Sequence, residues 1–149
     1  MFTHNQILIS FRTFSENHKQ IHSFGSGDMV EVNENSTTEP VSYPQMWVFL
    51  SAAATSKNTL TYKYDVLFYD LVQPDESNID EVLSDTVLMA NDFLSFLNSP
   101  DNYESWFFDI GQDIEPFRDR FRDDVTGVKL SIIIRTDGTQ DDYCQAPVS

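Results

Sequence analysis

The chain has 149 residues, a length that suits a single domain. Acidic residues outnumber basic residues by 24 to 9, which gives a formal net charge of −15. A surface of that sign repels phosphate groups, so the charge disfavours ordinary DNA or RNA binding and attachment to anionic membranes. It favours solubility and cationic partners.

Cysteine content and hydropathy disfavour further classes of protein. The single cysteine, Cys144, excludes an intrachain disulfide and a multi-cysteine zinc or iron–sulfur site. The first residues, MFTHNQILISFRTF, lack the basic and the long apolar segments of a signal peptide. No apolar run approaches the roughly 20 residues of a membrane helix. We therefore expect a protein that stays in the cytosol until it assembles with something.

The first predicted element is a helix over residues 3–18, which Thr3 can cap. Its apolar stripe at helical spacing consists of Ile7, Phe11, Phe14 and His18. Residues 21–32 are expected to be extended or to form a hairpin. Their Gly25-Ser26-Gly27 sequence predicts a turn, because it lacks the lysine of a phosphate-binding P-loop.

Two polar segments flank the next predicted strand. Residues 33–42 are polar and predict a loop. Residues 45–50, QMWVFL, predict a buried strand with Trp47 and Phe49 on one face and the intervening residues on the other. Residues 51–58, SAAATSKN, are expected to form a second, flexible loop.

A strand, a turn and a helix follow in the middle of the chain. Apolar residues alternate in residues 59–72, and from Val66 onward both faces are apolar, which predicts a strand that becomes covered on both sides. Pro74 ends this strand. Ser77 with Asp80 three residues later matches a capping box, so we expect a helix from that point to residue 97.

The remaining elements complete the fold prediction. Residues 106–110 and 125–135 predict strands, whereas residues 113–124 predict either a distorted strand or a short helix, with the strand preferred. The polar residues 137–149 are expected to form an extended C-terminal tail. We therefore predict one α+β domain over residues 1–136, a mostly antiparallel sheet with two helices packed on one face and extended loops.

The residues that could carry chemistry are few. His4, His18 and His22 are the only histidines, and neither an H-E-x-x-H nor a G-x-S-x-G motif is present. Cys144 follows two aspartates, whose charge raises the pKa of a thiol, so it is expected to be a contact residue. We accordingly predict no enzyme activity, no cofactor and no metal.

Carboxylates and arginines near the C-terminus offer two further interpretations. Carboxylates that could form an acid–base pair or a calcium site are Asp109, Asp113, Asp123 and Asp124, although the EF-hand pattern is out of register. Arginines that alternate, and would point to one side of a strand, are Arg118, Arg120 and Arg122. They could bind phosphate. The interleaved aspartates favour ion pairing between subunits instead.

Six segments carry motifs that point to a family. They are S-F-G-S-G-D at Ser23–Asp28, Y-P-x-x-W at Tyr43–Trp47, D-V-L-F-Y-D-L-V at Asp65–Val72, N-x-x-E-V-L-S-D-T at Asn78–Thr86, E-P-F-R-D-R-F at Glu115–Phe121 and D-Y-C-x-x-P at Asp142–Pro147. Together they resemble the neck proteins of tailed bacteriophages: the head–tail connector ring and tail-terminator proteins, including those of crAss-like phages. The resemblance extends from the first helix to the cysteine.

This resemblance implies a structural virion protein that forms a homo-oligomeric ring of six or twelve copies. DNA would pass through the ring without specific binding, and the portal, other neck rings or tail proteins would be its neighbours. Assembly would take place in the host cytoplasm. The side chains predicted to contact other subunits are Arg118, Arg120, Arg122, Tyr143, Cys144 and Pro147.

Two alternatives come from other functional classes. The charge of −15 also suits a small acidic binding module, such as an inhibitor or a DNA mimic that binds a basic partner. The carboxylates between Asp109 and Asp124 also suit a metal-binding enzyme of the α+β class. The three hypotheses differ in the expected oligomeric state and in bound metal.

Overall fold

A computed structural model describes residues 3–27, 43–56, 59–98, 107–110, 114–120 and 124–137. These residues form two helices and six strands. In chain order they are α1 (His4–Asn17), β1 (Ser23–Ser26), β2 (Gln45–Ser56), β3 (Thr59–Leu71), α2 (Ile79–Leu97), β4 (Phe107–Ile110), β5 (Glu115–Arg120) and β6 (Asp124–Asp137). The predicted α+β class is confirmed. The loop predicted for residues 33–42 and the tail from residue 138 onward lie outside the described residues.

The six strands form one sheet in the order β1-β2-β3-β6-β4, with β5 also paired to β6. β5 pairs with the first half of β6 and β4 with the second half, so β5 and β4 follow each other along the same side of β6. β1 is parallel to β2, and the other pairs are antiparallel. The prediction of a mostly antiparallel sheet is therefore confirmed, with one parallel pair at its edge.

Both helices pack on one face of the sheet, as predicted. The even-numbered residues of β3 and β6 point to this face, because successive side chains of a strand alternate. The fully buried side chains of this layer include Ile7, Phe11, Tyr64, Phe68, Phe93, Leu130 and Ile132. Aromatic rings dominate its centre: Phe93 meets Phe11 edge to face with ring centroids 5.1 Å apart. This layer is the main core.

The opposite face of the sheet carries a smaller apolar cluster. Its buried members are Trp47, Leu67, Tyr69 and Val125, with Tyr43, Phe49 and Phe117 packed around them. The Tyr69 hydroxyl donates a hydrogen bond of 2.6 Å to the side-chain oxygen of Gln45, which is also buried. From Val66 to Tyr69 every residue of β3 is buried, which confirms that this strand is covered on both sides. We call the side of the sheet opposite α1 and α2 the open face. The name means only that neither helix packs on it.

The two helices begin differently. Thr3 caps α1 through a capping box with Gln6, as the sequence predicts. The box predicted at Ser77 is wrong, because α2 begins at Ile79 and Asn78 is its N-cap residue. Ser77 bonds to residues of the preceding turn, and the Asn78 amide instead holds the end of β3 by donating to the Leu71 carbonyl at 3.0 Å. Neither helix is long and apolar enough to cross a membrane.

The loop predicted for residues 51–58 is wrong over residues 51–56, and residues 57 and 58 lie outside the described structure. β2 continues through a bulge between Leu50 and Ala52 and reaches Ser56, where it pairs with Thr59. β3 is 13 residues long, and its first five residues, Thr59–Lys63, have a partner strand in Ser56 back to Ala52. The small residues after the bulge provide this partner, although their composition resembles a loop.

Candidate functional site

Arg118, the first arginine of the predicted contact row, is bound within the chain. Its Nη2 atom lies 2.8 Å from a carboxylate oxygen of Glu76 and 2.8 Å from one of Asp124, and its Nε donates to the other Asp124 oxygen at 3.2 Å. The hydrogen bonds that Arg118 donates to Asp124, and then to Glu76, raise its pKa above the ordinary value. This guanidinium joins β5 to the start of β6 and to the turn before α2.

The other predicted contact residues are only partly visible. Arg120 is the last residue of β5, and its backbone pairs with Asp124 of β6. The side chain of Arg120 lies outside the described structure, as do the residues Arg122, Tyr143, Cys144 and Pro147. The role of all six in subunit contacts stays a prediction.

Of the four carboxylates considered for a metal site, the two that the structure describes, Asp109 and Asp124, lie far apart along the sheet. Asp109 on β4 pairs with Ile133, whereas Asp124 starts β6 nine residues earlier. Nine strand residues span about 30 Å. Asp113 and Asp123 lie outside the described residues, within which no group of three His, Cys, Asp or Glu side chains could hold a metal ion.

The three histidines each join two parts of the fold. Their partners are the Tyr64 hydroxyl for His4 at 2.9 Å, the Asp92 carboxylate for His18 at 2.8 Å and the Tyr43 carbonyl for His22 at 2.7 Å. Partial burial lowers the pKa of His4. His18 connects the end of α1 to α2, and His22 holds the chain near the start of β2. The histidines are therefore separate structural links rather than one site.

The outer edge of β2 is the most distinctive surface of this structure. β1 pairs only with residues 45–48 of β2. Beyond Val48, no strand in the described part of the chain pairs with the outer edge of Phe49–Ser56. The sequence FLSAAATS contains neither a charge nor a proline. Charge and proline are two devices by which proteins protect a free strand edge. We name these eight residues the open edge.

The register identifies the backbone groups that the open edge presents. The Val48 carbonyl accepts a hydrogen bond from the Gly27 amide, so Val48 points its backbone groups outward, and Leu50 does the same two residues later. The outward direction at Val48 makes Phe49 and Asp65 a hydrogen-bonded pair, and every second residue of β3 points its backbone groups to β2 in the same way. Beyond the bulge, the hydrogen-bonded pairs are therefore Ala52 with Lys63 and Ala54 with Thr61. Ala53 and Thr55 therefore point their N–H and C=O groups away from the sheet, ready to pair with an added strand.

A cavity of about 240 Å³ lies where β1 ends and the open edge begins. It is lined by His4, Ser26, Gly27, Val48, Phe49 and Leu50. The Leu50 side chain is 42% exposed beside it. When a strand adds to a sheet edge, main-chain hydrogen bonds provide affinity and a pocket of this kind selects a side chain.

A second cavity, of about 340 Å³, lies on the open face. The hydroxyl of Ser131 donates to the Asp65 carboxylate at 2.8 Å, and Lys129 lies 3.8 Å from the same carboxylate. Lys63 is exposed at the rim of this group, directly opposite Ala52 of the open edge. This cavity places positive charge next to the open edge of an otherwise acidic protein.

Sequence reasoning missed the open edge because residues 51–56 were assigned to a loop. The signal that could have found it is the length of β3. A long predicted strand that begins at Thr59 favours a hairpin in which the residues just before Lys57 pair with it.

No protein-family model matches the chain. No curated protein sequence matches it either.

Proposed function

We propose that this protein is a structural subunit of a homo-oligomeric ring in the neck or tail terminus of a tailed bacteriophage. The ring would belong to the head–tail connector or terminate the tail tube, and DNA would pass through it. Its partners would be further copies of itself, the portal, and other neck or tail proteins. The virion context comes from the sequence motifs, whereas the structure supports the assembly role.

The observation that carries this proposal is the open edge of β2. A neutral strand edge of eight residues next to a cavity is a surface suited to strand addition. The opposite edge of the sheet consists of the short strands β4 and β5. A contact between the open edge of one copy and a different surface of the next is heterologous, and such contacts close into a ring when the rotation between subunits closes.

The negative charge supports the passage of DNA. A net charge of −15 per subunit, multiplied around a ring, produces a lumen that repels phosphates during packaging and ejection. Acidic side chains that line the lumen are therefore expected. A ring structure in which basic residues line the channel would contradict this part of the proposal.

The mass of the purified protein in solution tests the proposal, measured by light scattering with negative-stain imaging, alone and with an unfractionated phage lysate. Rings of defined copy number, or incorporation into neck particles, would support the ring. A strict monomer that joins no particle would contradict it and would favour the acidic binding module. A stoichiometric divalent ion in the same preparation would favour the metal-binding enzyme.

A further inference from the structure

We propose that the open edge of one copy binds the C-terminal segment of another copy, residues 138–149, with Tyr143 in the cavity beside Leu50. This inference rests on the proposed homo-oligomer and names the segment that joins its subunits. The two elements involved are both present in every copy, so the same contact repeats from subunit to subunit.

The end of β6 lies at the end of the sheet where the open edge ends. Asp137 pairs with Thr59, and Thr59 pairs with Ser56, so the three residues form one row across neighbouring strands. Strands lie about 4.8 Å apart, which places Asp137 about 10 Å from Ser56. The segment that follows β6 therefore starts at the same end of the sheet as the end of the open edge.

The segment is long enough to cover the edge. Twelve residues follow Asp137, and they span about 40 Å when extended. The open edge of eight residues spans about 26 Å. A chain of twelve residues can therefore leave its own subunit and still pair with most of the open edge of a neighbour.

The cavity fits a single aromatic side chain. Tyr143 is the only aromatic residue after Asp137. The residues that line the cavity include Leu50, whose apolar side chain is exposed, and His4, which has a polar ring. A tyrosine matches this combination, because its ring is apolar and its hydroxyl needs a partner when buried.

Charge favours the same arrangement. Asp141 and Asp142 immediately precede Tyr143. The open edge itself is neutral, and the exposed Lys63 lies beside it on the open face. Because successive side chains of a strand alternate, a segment with Tyr143 in the cavity beside Leu50 would point Asp142 to the open face, where Lys63 lies.

Disulfide trapping with the native cysteine provides the test. Cys144 is the only cysteine and would lie next to the anchored Tyr143, so single cysteines are introduced in turn at Leu50, Ser51, Ala52 and Ala53. Neighbouring strands bring Cα atoms within about 5.5 Å, the separation that a disulfide needs. Ser84→Cys on the exposed side of α2 is the matched control. Mild oxidation is followed by non-reducing electrophoresis.

The inference predicts a ladder of covalent oligomers for at least one edge cysteine. The ladder should end at the copy number of the ring and be absent for Ser84→Cys and for edge cysteines combined with Cys144→Ser. Internally cross-linked monomers would overturn the inference, because the segment would then bind its own chain. Rings that form in solution without any cross-link at the edge would overturn it while leaving the proposed function intact. Covalent dimers as the largest product would support the docking but contradict the ring.

The anchoring role of Tyr143 is tested separately. Tyr143→Ala should raise the concentration at which half of the protein assembles by at least about tenfold, which corresponds to the loss of about 1.4 kcal/mol. Tyr143→Phe keeps the ring and should stay within about threefold of the original protein. Equal assembly of Tyr143→Ala and the original protein would overturn the assignment of this residue to the cavity.

Discussion

The indole ring of Trp47 lies directly against Gly25, in the space that a Cβ atom at position 25 would occupy. Its Nε1 donates a hydrogen bond of 3.1 Å to the Gly27 carbonyl. This contact holds the short strand β1 against the first residues of β2. It also determines where β1 stops, and therefore where the open edge begins.

Gly25→Ala should lower the free energy of unfolding by about 1–3 kcal/mol, because the added methyl group must displace the Trp47 ring in a well-packed site. Urea denaturation followed by circular dichroism measures this change. Ser26→Ala, one residue later, is the control and should change stability by less than about 0.5 kcal/mol. Equal stability of Gly25→Ala and the original protein would show that the ring moves freely.

Phe93→Ala should be the more damaging substitution, with a cost of about 3–5 kcal/mol. The Phe93 ring is fully buried and contacts the rings of Phe11, Phe14 and Phe68, so its removal leaves a cavity between both helices and the sheet. The control on the same helix is Val87→Ala, because Val87 is 41% exposed. Similar urea midpoints for the two variants would contradict the proposed position of the core.

His4 should make the stability depend on pH. Burial lowers the pKa of His4 from its ordinary value of 6.5, so the unfolded chain binds more protons than the folded chain just below that pH. The contribution of His4 to stability is therefore complete above pH 6.5 and is lost as the pH falls through the folded pKa. The unfolding free energy of the original protein should fall more steeply between about pH 7.5 and about pH 5.5 than that of His4→Asn. Parallel pH profiles would contradict this prediction.

Deletion of residues 141–149 should leave the fold unchanged and weaken assembly. The sheet and both helices end before these residues, so the urea midpoint of the truncated chain should match that of the full chain. The concentration needed for assembly should rise by at least about tenfold. Cys144→Ser, which keeps the whole segment, should assemble normally. Unfolding of the truncated chain would show that the segment belongs to the core.

The sequence predicted the helices and the central strands better than the edge of the sheet. The buried faces of α1 and β3 follow the regular spacing of Ile7, Phe11, Tyr64 and Phe68, so periodicity alone indicates both elements. Residues 51–56 lack that signal, because small exposed side chains pack against little, and only the backbone pairing with β3 makes them a strand. The Ser77 box failed for a similar reason, since the turn before α2 uses Ser77 for its own hydrogen bonds.

The candidate surface could be predicted only in part. Alternation predicts Arg118 and Arg120 on the same side of a strand, and that stays a prediction; the ion pairs that Arg118 makes with Glu76 and Asp124 depend on the fold. Glu76 is 42 residues away from Arg118 in the sequence, and rules based on short residue spacings cannot predict so distant an ion pair. The open edge likewise follows from the short length of β1, which the sequence of residues 23–26 does not reveal.

Light scattering of Ala53→Pro tests the central claim most directly, namely that copies of this protein assemble through the open edge of β2. Proline at this position removes an outward N–H group that the sheet does not use, so the subunit should still fold while an added strand loses its partner. We predict closed oligomers for the original protein and for the matched variant Ala53→Ser, and folded monomers for Ala53→Pro at the same concentrations. Oligomers of unchanged size and affinity in Ala53→Pro would contradict the account.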